Sequence, residues 1–130
     1  MTTNTPQYIL ALDLGTTGNR AIVFDSQGGV VAQTYQELTQ YYPHPGWLEH
    51  DPQEIWQDTY TCIQTVIKDN NISPSAIAAI GLTVQRETCL LWDKTTGEPL
   101  HKAIVWQDRR TAEMCQQLRE EGKADQIESI

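Results

Sequence analysis

A chain of 130 residues with a formal net charge of −8 fits one domain with a core of its own. That charge argues against nucleic acid or an anionic membrane as the main partner, while leaving room for a local site for small anions. No apolar run approaches the length of a membrane span, and "MTTNTPQ" lacks the regions of a signal peptide, so a cytoplasmic protein is expected.

In chain order, residues 1–7 read as an N-terminal tail and 7–13 as a buried strand. A second strand is expected over 20–26, then a turn at Ser26-Gln27-Gly28-Gly29 and a third strand over 30–37, giving an antiparallel meander. The Pro- and aromatic-rich stretch "YYPHPGWLEHDPQEIW" reads as an irregular loop ending at a helix start. There Asp51 is placed as N-cap, Pro52 at the first helical position and Glu54 as the return half of a capping box. Ile55, Trp56, Tyr60, Ile63, Val66 and Ile67 recur at helical spacing, which predicts one buried face, and "KDNNISP" ends the helix. The nearly continuous apolar run 76–84 predicts an interior strand covered on both faces. Strands around 88–93 and 100–105 flank the turn "DKTTGEP", and a second helix is expected from Asp108 to Gly122. The order β-β-β-α-β-(β-β)-α implies an α/β fold with a mixed sheet and packed helices.

The stretch "LDLGTTGNRAIVFD" raises the first chemical question. Gly18 and Asn19 tolerate positive φ, so "TTGN" could be an ordinary hairpin turn. The same residues suit a phosphate: small residues admit an anion to the backbone, Thr16 and Thr17 add hydroxyls, Arg20 adds fixed charge, and Asp13 could hold Mg²⁺ through water. Neither a P-loop nor a dinucleotide fingerprint is present, because a strand rather than a helix follows the turn.

Cys62, Cys89 and Cys115 are widely spaced and read as reduced, mostly buried thiols. His44, His50 and His101 match no zinc spacing and read as solvated or turn-packed. Arg86 and Glu87 could be a surface pair, Trp106 could be core, and Trp47, Trp56 and Trp92 read as packing residues. Arg109 and Arg110 are expected to be solvated or paired with Glu113.

"LDLGTT", "PGWLEHDPQEIW" and "GLTVQRETCLLWDKTTGEPLHKAIVWQDRRT", in that order, resemble the N-terminal part of the FGGY carbohydrate kinases, most closely the glycerol kinase branch. The resemblance runs from Tyr8 onward and implies a ribonuclease H-like (actin-like ATPase) domain whose first hairpin grips ATP phosphates. On this resemblance Asp13 acts near Mg²⁺, Thr16, Thr17, Gly18 and Arg20 serve the nucleotide phosphates, and Arg86, Glu87 and Trp106 form the glycerol site. A triol suits these side chains: Glu87 accepts from hydroxyls, Arg86 donates to them and the indole covers the carbon side.

Three positions depart from the branch's usual pattern: Leu14 for Gln, Gly18-Asn19 for two serines, and Val84 for Asn. The resemblance also makes residues 8–130 an incomplete N-terminal domain, with the catalytic base, the adenosine pocket and a second domain downstream, and no catalytic residue in this chain. It leaves room for a homo-oligomeric full-length parent. The implied activity is ATP-dependent phosphorylation of glycerol to sn-glycerol 3-phosphate. Two other readings stay open: an inactive truncated fragment with at most a binding role, and a kinase for another polyol or sugar.

Overall fold

The computed structural model describes residues 7–124 and 126. Three antiparallel strands, β1 (Tyr8–Leu14), β2 (Gly18–Phe24) and β3 (Val30–Glu37), form the expected meander. The β2–β3 turn is set by Asp25, whose Oδ1 accepts from the backbone N–H of Gln27 and Gly29, with Gly28 at φ +81°. A fourth strand, which we number β5 (Ile77–Thr83), lies parallel to β1 and gives the mixed sheet order β3-β2-β1-β5.

Between them, helix α1 (Pro52–Asp69) packs across β2 and β3. Asp51 caps it as expected, accepting from the Gln53 N–H at 3.0 Å. Glu54 does not complete a capping box; it accepts from the hydroxyls of Thr39 and Tyr41 instead, tying the helix start to the chain leaving β3. The helix ends in a Schellman motif: Asn71 takes φ +52°, its N–H donates to the Lys68 carbonyl, and the N–H of buried Ile72 donates to the Ile67 carbonyl. Leu10, Leu12, Ala21, Val23 and Ala32 from the sheet meet Cys62, Val66 and Ile72 in one core. Each fully buried Leu or Val there contributes about 1.5–3 kcal/mol.

The buried line of α1 is Thr59, Cys62 and Val66; Trp56 and Tyr60 fall outside it, stacked on each other at 6.2 Å in solvent. The periodicity therefore places the helix correctly but overestimates its buried arc, because the sheet face it meets is narrow. Strand β5 also departs from expectation. Ile80 and Leu82 share the sheet face of Leu10 and Leu12 yet are 64% and 63% exposed, because α1 does not reach across to the sheet edge.

A second, smaller sheet pairs β4 (Glu49–His50), inside the stretch expected to be an irregular loop, with β6 (Ala103–Ile104). Single bridges add Tyr41 to Glu49 and Cys89 to Ile104. The strands expected at 88–93 and 100–105 shrink to these bridges, β6 and one at Trp92–Pro99, because their tip, carrying exposed Leu91, Trp92 and Leu100, has no surface to pack on. Helix α2 (Ala112–Glu120) begins later than expected because Asp108 and Arg110 are held elsewhere, as described below, and none of its residues is buried. Cys62 is buried, but Cys89 on the uncovered hairpin and Cys115 on α2 are exposed, against the expectation for three thiols. No helix among the described residues is long and apolar enough to cross a membrane.

Candidate functional site at the hairpin tip

The β1–β2 hairpin turns at Thr16 and Thr17, closed by the Gly15 N–H donating to the Gly18 carbonyl at 3.0 Å. No positive φ occurs there. Gly18 and Asn19 lie inside β2, so their role is not the turn conformation that their residue types suggest. A Cβ at Gly18 would overlap the Tyr35 ring, whose hydroxyl donates to the Thr17 carbonyl. Asn19 is fully buried and its amide donates to the Ile55 carbonyl, anchoring the hairpin to α1. The backbone N–H groups of Thr16 and Thr17 have no partner among the described residues, which leaves two donors at the tip.

Asp13 and Arg20 are cross-strand neighbours on the face turned away from α1, and both are exposed. They form no ion pair; Arg20 instead lies over the Tyr35 ring, 5.4 Å from its centroid. The phosphate-class residues are thus gathered at one end of the hairpin, with the acid and the guanidinium beside the free amides.

The polyol-class residues come from two other segments. Glu87 follows β5 and adopts φ +61°, a left-handed backbone that costs a non-glycine residue on the order of 1 kcal/mol. Trp106 follows β6. Glu87 and Trp106 line one cavity of about 210 Å³ together with Cys89, Val105 and Asp108. Arg86 is exposed and does not line that cavity. Trp106 is 53% exposed rather than core, and its indole N–H donates to Thr16 Oγ1 at 2.9 Å. That bond joins the polyol-class residues to the hairpin tip.

Behind the tip lies a polar network. Gln85 Nε2 donates to the Gly15 carbonyl and approaches His50 Nδ1, while its Oε1 accepts from Thr88 Oγ1. His50 Nε2 contacts Gln40 Oε1, and Gln40 Nε2 donates to the carbonyls of Thr16 and Leu38. Burial, the largest influence, holds the His50 imidazole below its ordinary pKa, partly offset by Gln85 and by the Glu54 carboxylate. His50 is wholly buried, so of the two settings expected for it, solvated or turn-packed, the solvated one fails, because β4 places it beneath the hairpin.

The cavity wall is fixed by ions. Arg110 donates from Nε to Asp108 Oδ1 and from Nη2 to Asp108 Oδ2 and Glu49 Oε1, all within 2.8–2.9 Å. Its guanidinium lies 3.8 Å from the Trp47 ring centroid. The Arg110 fork holds the Asp108 carboxyl down at a pKa of about 2, and Asp108 also accepts from the Leu48 N–H. Arg110 therefore pairs with neither solvent nor Glu113, the two partners its position suggested.

Nothing in the spacing of Gln40, His50 and Gln85 marks them as a unit, since they come from three segments joined only by the fold. Two departures from the branch pattern also meet: Leu14 and Val84 line one apolar cavity of about 240 Å³ with Ile55, Leu90 and Ala103. It shares no lining residue with the Glu87–Trp106 cavity. Among the described residues no group of three or more His, Cys, Asp or Glu side chains could hold a metal ion by itself.

Residues 8–130 match the model of the N-terminal domain of the FGGY family of carbohydrate kinases. Glycerol kinase of Trichodesmium erythraeum is 70% identical over 129 residues, covering 99% of this chain and 26% of that protein. Glycerol kinase of Rippkaea orientalis is 72% identical over 127 residues, covering 98% of this chain and 25% of its own length. The chain thus spans about a quarter of the length of the curated relatives it matches. Among solved structures, Plasmodium falciparum glycerol kinase with ADP superposes with a TM-score of 0.78 at 33% identity over 88% of this chain and 23% of that one. A xylulose kinase from Brucella ovis gives 0.80 at 32% identity over 88% and 24%. With its mixed sheet of the actin-like ATPase type and a family match over nearly its whole length, the chain belongs to the FGGY family of carbohydrate kinases.

Proposed function

We propose that this chain supplies the phosphate hairpin and half of the polyol site of an ATP-dependent glycerol kinase, forming sn-glycerol 3-phosphate. The observation that carries the reading is the Trp106–Thr16 hydrogen bond, which sets the polyol-class indole against the tip expected to hold the transferred phosphoryl group. Phosphoryl transfer depends on such adjacency and on charge neutralisation more than on covalent chemistry by the protein.

In this reading the free N–H groups and hydroxyls of Thr16 and Thr17 hold phosphate oxygens, Gly18 keeps the tip close to Tyr35, and Arg20 offsets phosphate charge. Asp13 is an exposed carboxylate with no side-chain partner among the described residues, a donor that fits Mg²⁺ held through water. The ion, when bound, would neutralise charge on the phosphates. Glu87 accepts from glycerol hydroxyls, Arg86 donates to them, and Trp106 covers the carbon side. The catalytic base lies outside this chain. The bare faces of β5 suit packing against further elements of a longer kinase, so residues 8–130 form an incomplete domain. Leu14 and Val84 alter a cavity separate from that of Glu87 and Trp106, which favours glycerol over a larger sugar. Use of ATP and the free thiols both suit the cytoplasm.

The test replaces the matching quarter of the Trichodesmium erythraeum relative with this chain and measures ADP release with glycerol, xylulose and gluconate. Glycerol-dependent turnover is expected. Preference for a five- or six-carbon substrate would overturn the glycerol assignment, and no turnover beside an active parent enzyme would favour an inactive fragment.

A further inference from the structure

We propose that His50 is a positioning residue that locks the phosphate hairpin to the polyol-binding segment, and that it does so as the neutral Nε2–H tautomer. The proposal rests on the kinase reading above for its consequence, but its geometry stands on the network alone. Three segments meet at this ring: the hairpin tip through Gln40, the chain after β5 through Gln85, and β4, which carries His50 itself.

The proton assignment follows from the carbonyls. A carbonyl oxygen only accepts, so the Gln85 group facing the Gly15 carbonyl at 3.0 Å is its NH₂. The same NH₂ lies 3.2 Å from His50 Nδ1, which must therefore accept. Gln40 turns its NH₂ to two carbonyls, those of Thr16 at 3.0 Å and Leu38 at 2.9 Å, so its Oε1 faces His50 Nε2 at 2.9 Å and requires a proton there. Both amides are thus oriented by the backbone, and only one imidazole tautomer completes the chain of donors.

Protonating Nδ1 would set an N–H against the Gln85 NH₂. Gln85 would then have to turn its Oε1 to the ring, withdrawing its donor from the Gly15 carbonyl. One proton on a buried ring would loosen the turn that carries Thr16 and Thr17. The ionisable neighbours are accounted for: Glu49 is paired with Arg110, Asp51 with Lys102, and Glu54 is bound by the Thr39 and Tyr41 hydroxyls. Arg86 and Glu87 follow Gln85 and are exposed. Burial outweighs Gln85 and Glu54 and holds the ring below its ordinary pKa, so the neutral form is favoured at pH 7.

A glutamine at this position offers one acceptor and one donor and does not titrate. In the enzyme carrying this chain, His50→Leu is expected to lower kcat on the order of 10- to 100-fold, the range for a misplacement of about 1 Å, with KM for glycerol within about threefold. His50→Gln is expected to keep kcat near wild type at pH 7.5 and to abolish the wild-type decline on the acid side. An activity-independent readout is the Trp106 indole N–H resonance of the 130-residue chain, which reports the tip through Thr16. It should move with the His50 titration in wild type and stay flat in His50→Gln. A fully active His50→Leu, an inactive His50→Gln, an acid limb that persists in His50→Gln, or a wild-type resonance indifferent to pH would each overturn the proposal. A wild-type enzyme without glycerol-dependent turnover would defeat the kinase reading instead, and the resonance would decide the role of His50.

Discussion

Replacing Arg110 with Ala removes three charge-assisted hydrogen bonds and a stacked guanidinium in a single step. The Asp108 side chain is only 3% exposed, so the shift of its carboxyl from 3.8 to about 2 needs no discount for solvent. That shift corresponds to about 2 kcal/mol of native-state stabilisation. Loss of the Trp47 contact adds about 0.5–1 kcal/mol, bringing the expected cost to about 3 kcal/mol at pH 7. For a urea dependence of about 1.5 kcal/mol per molar, the unfolding midpoint of the 130-residue chain should fall by about 2 M. The pH dependence has a definite sign. Because the native pKa of Asp108 is depressed, its stabilisation is complete above the unfolded value and is lost as pH falls through about 2. In the variant most of that depression goes with the fork, and only the backbone N–H groups of Leu48 and residue 110 still lower the carboxyl. The gap to wild type should therefore stay constant from pH 7 down to near the unfolded value of 3.8 and narrow below it toward 2. Arg110→Lys, which keeps a charge but loses the planar fork, should lie between the two. Urea unfolding across this pH range is the assay. A cost under about 1 kcal/mol, or a gap that does not change with pH, would refute the assignment of Arg110 as the buried clamp of the cavity wall.

Two further substitutions separate stability from function. Glu87→Gly should leave the chain as stable or up to about 1 kcal/mol more stable, because glycine accepts φ +61° without strain, while glycerol KM rises tenfold or more; calorimetry and kinetics on the hybrid enzyme test both, and a clear loss of stability would show that Glu87 holds structure. Thr16→Val deletes the acceptor of the Trp106 indole and should cost under about 1 kcal/mol of stability, the worth of one half-exposed hydrogen bond, while kcat/KM falls at least tenfold. Unchanged kcat/KM would detach the indole from the chemistry.

Much of the fold was legible because it is local. The meander is written in alternation and in the Asp25 turn, and α1 in Asp51, Pro52 and the Asn70-Asn71 stop. What could not be read is non-local. The uncovered Trp56 and Ile80 have the residue types of a core, and only the reach of α1 decides that nothing covers them. At the candidate site, Asp13, Thr16, Thr17, Gly18 and Arg20 suggested a phosphate by type, whereas Glu87, Trp106 and Arg86 were singled out only by the family resemblance, and Arg86 stands outside the cavity. The supports did not. Arg110 reads as a surface cation until Trp47, Glu49 and Asp108 are seen around it, and nothing in the sequence singles out Gln40 or Gln85 as the partners of His50 beneath the hairpin.

The parallel pairing of β1 with β5 has a consequence for how the molecule assembles. Tyr8 meets Ile77 across roughly 70 residues of chain, whereas β1 and β2 are joined through a tight turn. Closing the longer loop costs about 2 kcal/mol more entropy than closing one of a few residues. With little covering β5 to offset that cost, the hairpin and α1 should acquire protection in pulsed hydrogen exchange before β5 does. During synthesis the turn bearing Thr16 and Thr17 would then be formed while the strand leading to Gln85, and with it the segment carrying Arg86 and Glu87, is still to dock.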